Sequence, residues 1–375
     1  LRVCHLHLNS YRNYDHLDLK VTSQLCVIVG ANAQGKTNLL EAVYYLATAR
    51  SFRAHKDDEL IKHGVDEAFL GCTVDREVNP SEIRIRLTRN RPKQITVNAR
   101  PLRRHLDLFG HLNVVTFSPD DLQLVKGGPG ERRRFLDMEL SQVSGAYRHD
   151  IATYQRVLRQ RNNLLKEISE RRADPELLQA WDLQLLDTGC RIMARRATAV
   201  KQLAHFARLV HHEITRGGER LTIRYRPFFG STDEVGEGEW EDSESLRARF
   251  AKEIKRLRQF EMRRGLTLVG PQRDDLEFLI NDQDVRSFGS QGQQRTCVLA
   301  TKLAEIEFMR AQTGMYPVLL LDDVMSELDE NRRHYFLGTV SGRVQTFITA
   351  TGLETFPQEF LSQSQVIRIV RGKLS

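Results

Sequence analysis

Gly30, Gly35, Lys36 and Thr37, in the stretch GANAQGKT, stand at the spacing G-x-x-x-x-G-K-[ST]. Glycines let a backbone wrap an anion, and the amides from Gly30 through Ala31, Asn32, Ala33, Gln34 and Gly35 then act as donors together with the N-terminus of a following helix. Lys36 reaches the β- and γ-phosphates, the Thr37 hydroxyl suits Mg²⁺, and Asn38 completes the set expected at the nucleotide. The motif requires a strand before it and a helix after it. Residues 25–29, LCVIV, form an apolar run of strand length, and Leu39, Leu40, Ala42, Val43 and Leu46 recur at helical spacing. A phosphate loop that takes ATP with Mg²⁺ is therefore expected.

A phosphate loop does not by itself say what the nucleotide is for. In YPVLLLDDVMSELD the apolar run 318–321 ends in Asp322 and Asp323, at the carboxyl end of a strand, where α/β sheets place ligands. Asp322 suits Mg²⁺ held through water, and Asp323 suits the orientation of an attacking water. An acid pair after a strand more often caps a helix; the upstream phosphate loop favours the catalytic reading. The stretch SQGQQR puts Gln293 three residues after Ser290, a capping box for a helix with apolar positions at Val298, Leu299, Leu303, Ile306 and Phe308 or Met309. An ordinary helix start explains that much, but not Gly292 in the first turn, which costs about 1 kcal/mol against alanine. A glycine there opens the helix end to an anion. A second phosphate-seeking helix end points to a site completed by another subunit, with Ser290, Gly292 and Gln293 completing it.

The elements that must hold these groups follow from the rest of the chain. Residues 1–118 mix strand and helix signals, with strands expected at 2–8, 25–29, 68–74, 82–87 and 94–97. Residues 119–264 change to helix-period segments rich in Leu, Arg, Gln and Glu, broken by RRADPE, TRGGER, a strand-like LTIRYRP and the acidic STDEVGEGEWEDSES, read as a solvated, mobile connector. Residues 265–375 carry the later motifs. About 100 helical residues folded back on themselves span only tens of ångströms at ~1.5 Å per residue, so the middle is expected to be a compact inserted lobe.

The 375 residues hold 56 Lys and Arg against 49 Asp and Glu, a net charge of +7 that fits a polyanion partner. Residues 83–106 carry Arg84, Arg86, Arg89, Arg91, Lys93, Arg100, Arg103 and Arg104 and no acid. Alternation in EIRIRLTRN sets Ile83, Ile85 and Leu87 on one strand face and Arg84 and Arg86 on the other, as a contact surface or a solvated face that protects an edge. Arg132, Arg133 and Arg134, followed by Phe135 and Leu136, either face a polyanion or cap a helix whose apolar side packs on the lobe, and Arg156, Arg159 and Arg161 carry the same two readings. Five scattered cysteines without a C-x-x-C pair argue against a disulfide framework or zinc knuckle and for packing roles. The opening residues lack the apolar core of a signal peptide and no 18-residue apolar run occurs, so a cytoplasmic location without membrane attachment is expected.

In its order of Walker A, SQGQQR helix, Walker B and SELD, the chain resembles the ATP-binding-cassette (ABC) heads of chromosome-maintenance and DNA-repair ATPases, and within them the RecF family of bacterial recombination mediators. The resemblance covers nearly the whole length through SYRNYDHLDL, GANAQGKTNLLEAVYYLATARSFR, FSPDDLQLVKGGPGERRRFLD, YQRVLRQRNNLLK, VGPQRDDLEF, FGSQGQQRT and LLLDDVMSELD. It implies an α/β fold: an ABC-type P-loop ATPase head with a mixed sheet flanked by helices, an antiparallel β subdomain and an inserted compact helical lobe. It places Arg12 and Asn13 beside the nucleotide, makes 326–329 a D-loop at a dimer interface, and sets 117–122 in the Q-loop region, where Asp120, Asp121 and Gln123 offer no clear Mg²⁺ ligand. Asp323 stands where most cassette ATPases have the longer glutamate, so slow hydrolysis is expected. QTFITATG, 345–352, reads as following a buried strand and lacks the switch histidine, with Thr349 or Thr351 near its position.

The resemblance implies an ATP-dependent homodimer in which Lys36, Thr37 and Asp322 hold nucleotide and Mg²⁺ in one copy while Ser290 acts in trans with Gly292 from the other. It implies DNA binding at gaps or junctions, mainly through the phosphate backbone, recombinase loading with RecR and RecO as partners, and release by weak, DNA-stimulated ATP hydrolysis. The alternatives are a small-molecule P-loop kinase, which needs an acceptor pocket and has no use for SQGQQR, and a transporter cassette, which must grip membrane helices.

Overall fold

Apolar runs and strict alternation decide where the strands of this chain lie. The computed structural model describes residues 1–76, 80–229, 243–326 and 328–375, and these separate into two compact units, Leu1–Asp121 with Glu305–Ser375, and Leu122–Ala304. Residues 231–242 of the acidic stretch and Glu327 of SELD lie outside the described residues.

The first unit begins with β1 (Arg2–Tyr11), β2 (Tyr14–Lys20), β3 (Leu25–Val29), α1 (Lys36–Thr48), β4 (Glu67–Asp75), β5 (Ser81–Thr88), β6 (Gln94–Val97), β7 (Arg100–Pro101) and β8 (Val114–Phe117). The second contains α2 (Gln123–Lys126), α3 (Pro129–Val143), α4 (Gly145–Ser169), α5 (Leu178–Ile214), β9 (Leu221–Arg226), α6 (Ser243–Arg264), β10 (Asp275–Ile280), β11 (Gln283–Asp284), α7 (Val285–Phe288) and the start of α8 (Gln291–Thr313). The chain then returns to the first unit through β12 (Val318–Leu321), α9 (Glu330–Val340), β13 (Thr346–Ala350), α10 (Gln358–Ser362), β14 (Ser364–Val370) and β15 (Lys373–Leu374).

Two sheets build the first unit. One is antiparallel, in the order β2-β1-β4-β5-β6-β7; the other runs β15-β14-β3-β13-β12-β8, parallel from β14 to β8 with β15 as an antiparallel edge. Every residue of β3, β12 and β13 is buried, as a parallel strand covered on both faces requires, which is why β3 and β12 read as unbroken apolar runs, while Thr346 and Thr349 interrupt β13. In β5 the alternation holds: Ile83, Ile85 and Leu87 are buried while Arg84 and Arg86 are exposed. Those arginines pair with Glu82 at 2.5 Å and Glu67 at 2.6 Å, so the basic face is partly neutralised by its neighbours, in keeping with a solvated sheet face.

The second unit packs α3 to α6 with the three-stranded sheet β11-β10-β9. Its interior holds arginines fastened to acids. Arg161 is wholly buried, with Nε 2.8 Å from Asp182, one terminal nitrogen 2.7 Å from Glu261 and the other 2.8 Å from the Thr267 hydroxyl. Arg196, also buried, donates to Asp137 at 2.7 Å, Asp274 at 3.0 Å, the Pro271 carbonyl at 2.7 Å and the Tyr147 hydroxyl at 3.0 Å. Burial pushes Asp274 up to about 6 even though Arg196, Tyr225 and the Phe228 N–H pull the other way. Arg132 grips Asp275 with two nitrogens, at 2.6 and 2.9 Å, and is buried too. Arg132 and Arg161 are therefore internal struts and not surface contacts; charge shows in the sequence, but the acids that bury it come from 143 and 100 residues away. Arg133 donates to the Asp274 carbonyl, while Arg134, Arg156 and Arg159 stay exposed.

This unit continues beyond residue 264 to Ala304, so the segment 290–293 belongs to it. All five cysteines are free thiols, three of them buried, and burial pushes the Cys72 thiol up to about 12. Among the described residues no helix is long and apolar enough to cross a membrane.

Candidate nucleotide-binding site

The phosphate loop leaves the end of β3, which lies between β14 and β13. A side chain at residue 30 would collide with the Ile369 carbonyl of β14, and Gly35 adopts φ +115°; both positions need glycine. Two turns hold the loop from outside. From the β1–β2 turn, Asn13 Nδ2 donates to the Gln34 carbonyl at 2.9 Å and the Tyr14 hydroxyl to the Gly35 carbonyl at 2.9 Å. From the β14–β15 turn, the Gly372 N–H reaches the Gln34 carbonyl at 3.0 Å and the Arg371 N–H reaches Gln34 Oε1 at 2.6 Å. Lys36 curls its Nζ to the Gly30 and Ala31 carbonyls, 2.7 and 2.9 Å away. The first turn of α1 carries no acidic residue, so the positive end of the helix dipole remains for an anion.

Beneath the loop, the Thr37 hydroxyl donates to Asp322 Oδ1 at 2.8 Å, joining two residues 285 positions apart. The Thr349 hydroxyl donates to the same oxygen at 2.9 Å and accepts the Asp323 N–H at 2.9 Å. Asp323 sits at φ +56°, in the left-handed region, with its carbonyl accepting from Ser326 Oγ at 2.8 Å. Asp and Asn tolerate that region better than other non-glycine residues because a short polar side chain bonds locally. QTFITATG turns out to contain the strand β13 itself, not a segment after one; Thr349 lies within the strand and Thr351 beyond it, exposed. Thr37 and Asp322 offer hard oxygen donors that fit Mg²⁺, an ion commonly held by one carboxylate, a hydroxyl and substrate phosphates. Among the described residues no group of three His, Cys, Asp or Glu is arranged to hold a metal.

Arg12 and Asn13 divide their work. Asn13 touches the loop and accepts from Asn38 Nδ2 at 2.8 Å, whereas Arg12 is spent on the buried Glu41, at 2.8 and 2.7 Å, and on the Glu59 carbonyl at 3.0 Å. Burial pushes the Glu41 carboxyl up, but Arg12, Ser51 and Tyr11 outweigh it and hold Glu41 below its ordinary value. Arg53, which sequence reading passed over, donates to Asn38 Oδ1 at 3.2 Å. In the Q-loop region Asp121 takes the Ser118 N–H at 2.6 Å and Asp120 is exposed.

In the second unit the expected capping box is present in both directions: the Ser290 N–H donates to Gln293 Oε1 at 2.8 Å, and the Gln293 N–H donates to Ser290 Oγ at 3.2 Å. Gly292 lies in the first turn of α8, and Val298, Leu299, Leu303, Ile306, Phe308 and Met309 are all buried. Gln293 Nε2 also donates to Glu219 at 2.9 Å, a contact no local pattern announces. Asp329 caps α9 by accepting the Arg332 N–H at 2.9 Å.

The parallel sheet, its phosphate loop and the acid pair on the neighbouring strand define a P-loop nucleotide-binding protein with the fold of ABC-type ATPase heads. Residues 2–372 match the family model of the RecF/RecN/SMC N terminal domain. The chain is 42% identical over 370 residues to the DNA replication and repair protein RecF of Bacillus pumilus, covering 98% of each chain, and 44% identical over 368 residues to that of Symbiobacterium thermophilum, covering 98% of this chain and 96% of the other. A solved structure of the recombination mediator protein RecF-ATP in the RecFOR pathway superposes with a TM-score of 0.88 at 35% identity, over all of this chain and 96% of that one. An Smc head shares the fold at a TM-score of 0.56 and 14% identity, over all of this chain and 96% of that one. The chain belongs to the RecF family.

Proposed function

We propose that the protein is an ATP-dependent DNA-binding switch of DNA replication and recombinational repair, in which two copies sandwich ATP, hold DNA at gaps or junctions while the nucleotide is intact, and release it after hydrolysis. The observation that carries this reading is the Thr37–Asp322 contact under the phosphate loop, which joins Walker A to Walker B. The loop amides and Lys36 hold the β- and γ-phosphates, Lys36 exchanging the Gly30 and Ala31 carbonyls for phosphate oxygens. Thr37 and Asp322 are the residues that would hold Mg²⁺, which supplies neutralisation of the phosphate charge.

Asp323 orients the attacking water. Its short side chain, on a backbone held in the left-handed region, supports slow turnover suited to a switch. Ser290 Oγ already accepts the Gln293 N–H, so its own proton serves an outside acceptor, the γ-phosphate bound by a second copy, with Gly292 and Gln293 beside it. The exposed Arg134, Arg156 and Arg159 support contact with the DNA backbone, which carries no base information. The family resemblance supports RecR and RecO as partners, stimulation by DNA and a cytoplasmic location.

Fluorescence anisotropy of a labelled DNA duplex tests the reading, with a non-hydrolysable ATP analogue in one titration and ADP in the other. Tight binding with the analogue that disappears with ADP and in Ser290→Arg is expected. Equal binding with both nucleotides would overturn the gated clamp.

A further inference from the structure

We propose that Glu219 is a positioning residue for the ATP-completing end of α8, acting through Gln293 on Ser290; this rests on the trans role of Ser290 given above. The argument begins with the carboxamide of Gln293. Its two ends are alike in shape and opposite in hydrogen-bonding sense, so a flip would turn an acceptor into a donor. The cap needs Oε1 towards the Ser290 N–H, 2.8 Å away, and a flipped amide would set donor against donor there. With Oε1 so placed, Nε2 must find its own acceptor. Glu219 Oε1 supplies it at 2.9 Å, and a carboxylate acceptor makes that bond stronger than one between neutral groups.

Glu219 is itself held firmly. It follows the end of α5 by a tight turn in which the Gly217 N–H bonds the His212 carbonyl at 2.8 Å and the Gly218 N–H bonds the Thr215 carbonyl at 3.0 Å, with Gly217 at φ +78°. On its other side Arg220 is stapled to Asn281, its N–H donating to Asn281 Oδ1 at 2.9 Å and its carbonyl accepting the Asn281 N–H at 3.0 Å. The second carboxylate oxygen lies 3.7 Å from Nε2 of the buried His211. Glu219 thus ties the end of the 37-residue helix α5 to the first turn of α8, and it lines a cavity of about 450 Å³ with Arg208, His212 and Asn281. Through it the helical lobe sets the direction in which the Ser290 hydroxyl points.

The test is steady-state ATP turnover of the full chain with DNA present, together with nucleotide affinity. Glu219→Ala is expected to lower kcat about tenfold, the loss of one charge-assisted hydrogen bond, with nucleotide affinity and KM unchanged because the phosphate loop is untouched. Glu219→Gln keeps an acceptor oxygen and is expected to hold kcat close to the parent. Gln293→Glu alone sets two carboxylates together and should lower kcat as Glu219→Ala does. Combining Gln293→Glu with Glu219→Gln restores both the cap and the bridge with the donor and acceptor exchanged, and should raise kcat well above that of Gln293→Glu alone; this partial rescue distinguishes positioning from general destabilisation and stands even if Glu219→Ala does not fold. If the exchanged pair is no better than Gln293→Glu while Ser290→Arg abolishes turnover, the role of Glu219 is wrong. If Ser290→Arg leaves turnover intact, the trans role of Ser290 has failed, and Glu219 with it.

Discussion

The hydroxyl of Thr349 touches both members of the acid pair at once, giving its proton to Asp322 and taking one from the Asp323 N–H, and it is almost wholly buried. Thr349→Val keeps the shape and removes both bonds. A buried N–H left without its acceptor costs about 1–3 kcal/mol, and Asp323 is the residue whose backbone most needs fixing. We expect turnover to fall at least about tenfold with ATP affinity little changed, and Thr349→Ser to retain most activity. Parent-like turnover of Thr349→Val in a coupled ATPase assay would remove Thr349 from the site. The sequence narrowed this position to Thr349 or Thr351 but stopped there, because the choice depends on where β13 ends and on its pairing with β12, both long-range facts.

Among the elements, the β1–β2 turn and α1 are joined by the bidentate Arg12–Glu41 pair, in which Glu41 is fully buried. Removing one partner of such a pair leaves an uncompensated charge and costs about 3–5 kcal/mol; we expect Arg12→Ala to lose stability near that size in urea titrations at pH 7. Arg12→Lys should recover little, since an ammonium cannot span both oxygens. The pair also sets a pH dependence. Glu41 is held below its ordinary 4.5 in the folded state, so the folded form binds fewer protons there than the unfolded form. Its stabilisation is whole above the unfolded value and is lost as pH falls through the folded value. The gap between Arg12→Ala and the parent should therefore be widest at neutral pH and narrow below about pH 4.5; a constant gap would mean that the charge plays no part. Of the strands, β1, β3, β4, β5, β6, β9 and β12 were legible to within a few residues. β2, β8, β10, β13, β14 and the two-residue β7, β11 and β15 were not: β8 has only four residues, β2 places Tyr14 and Leu17 three apart, out of step with period two, and β13 is broken by Thr346 and Thr349.

For the whole molecule, a net charge of +7 fits a polyanion partner but does not say where one would bind. Arg132, Arg161 and Arg196 are consumed inside the helical unit, whereas Arg156 and Arg159 are exposed on α4. Reversing the last two, Arg156→Glu with Arg159→Glu, should weaken duplex binding and lower the dependence of log affinity on log salt by about 1 per lost phosphate contact, with stability within about 0.5 kcal/mol of the parent for each change. An unchanged salt slope would place the DNA elsewhere. Arg161→Ala should act oppositely, unfolding the helical unit by leaving the buried Glu261 without a counter-charge and Asp182 with Arg258 alone.

What the sequence determined by itself is local. A phosphate loop needs glycines at fixed steps between a strand and a helix, a capping box needs Ser290 and Gln293 three residues apart, and the buried strands β3 and β12 need a short apolar run; each condition is met within about ten residues, and each was legible. The tertiary structure alone decided which distant groups meet: Thr37 with Asp322 and Thr349, Gln293 with Glu219, Arg161 with Glu261. A side chain's type shows what bond it is able to make, but its partner is chosen by the burial of whole elements, and burial is set by every contact the chain makes at once.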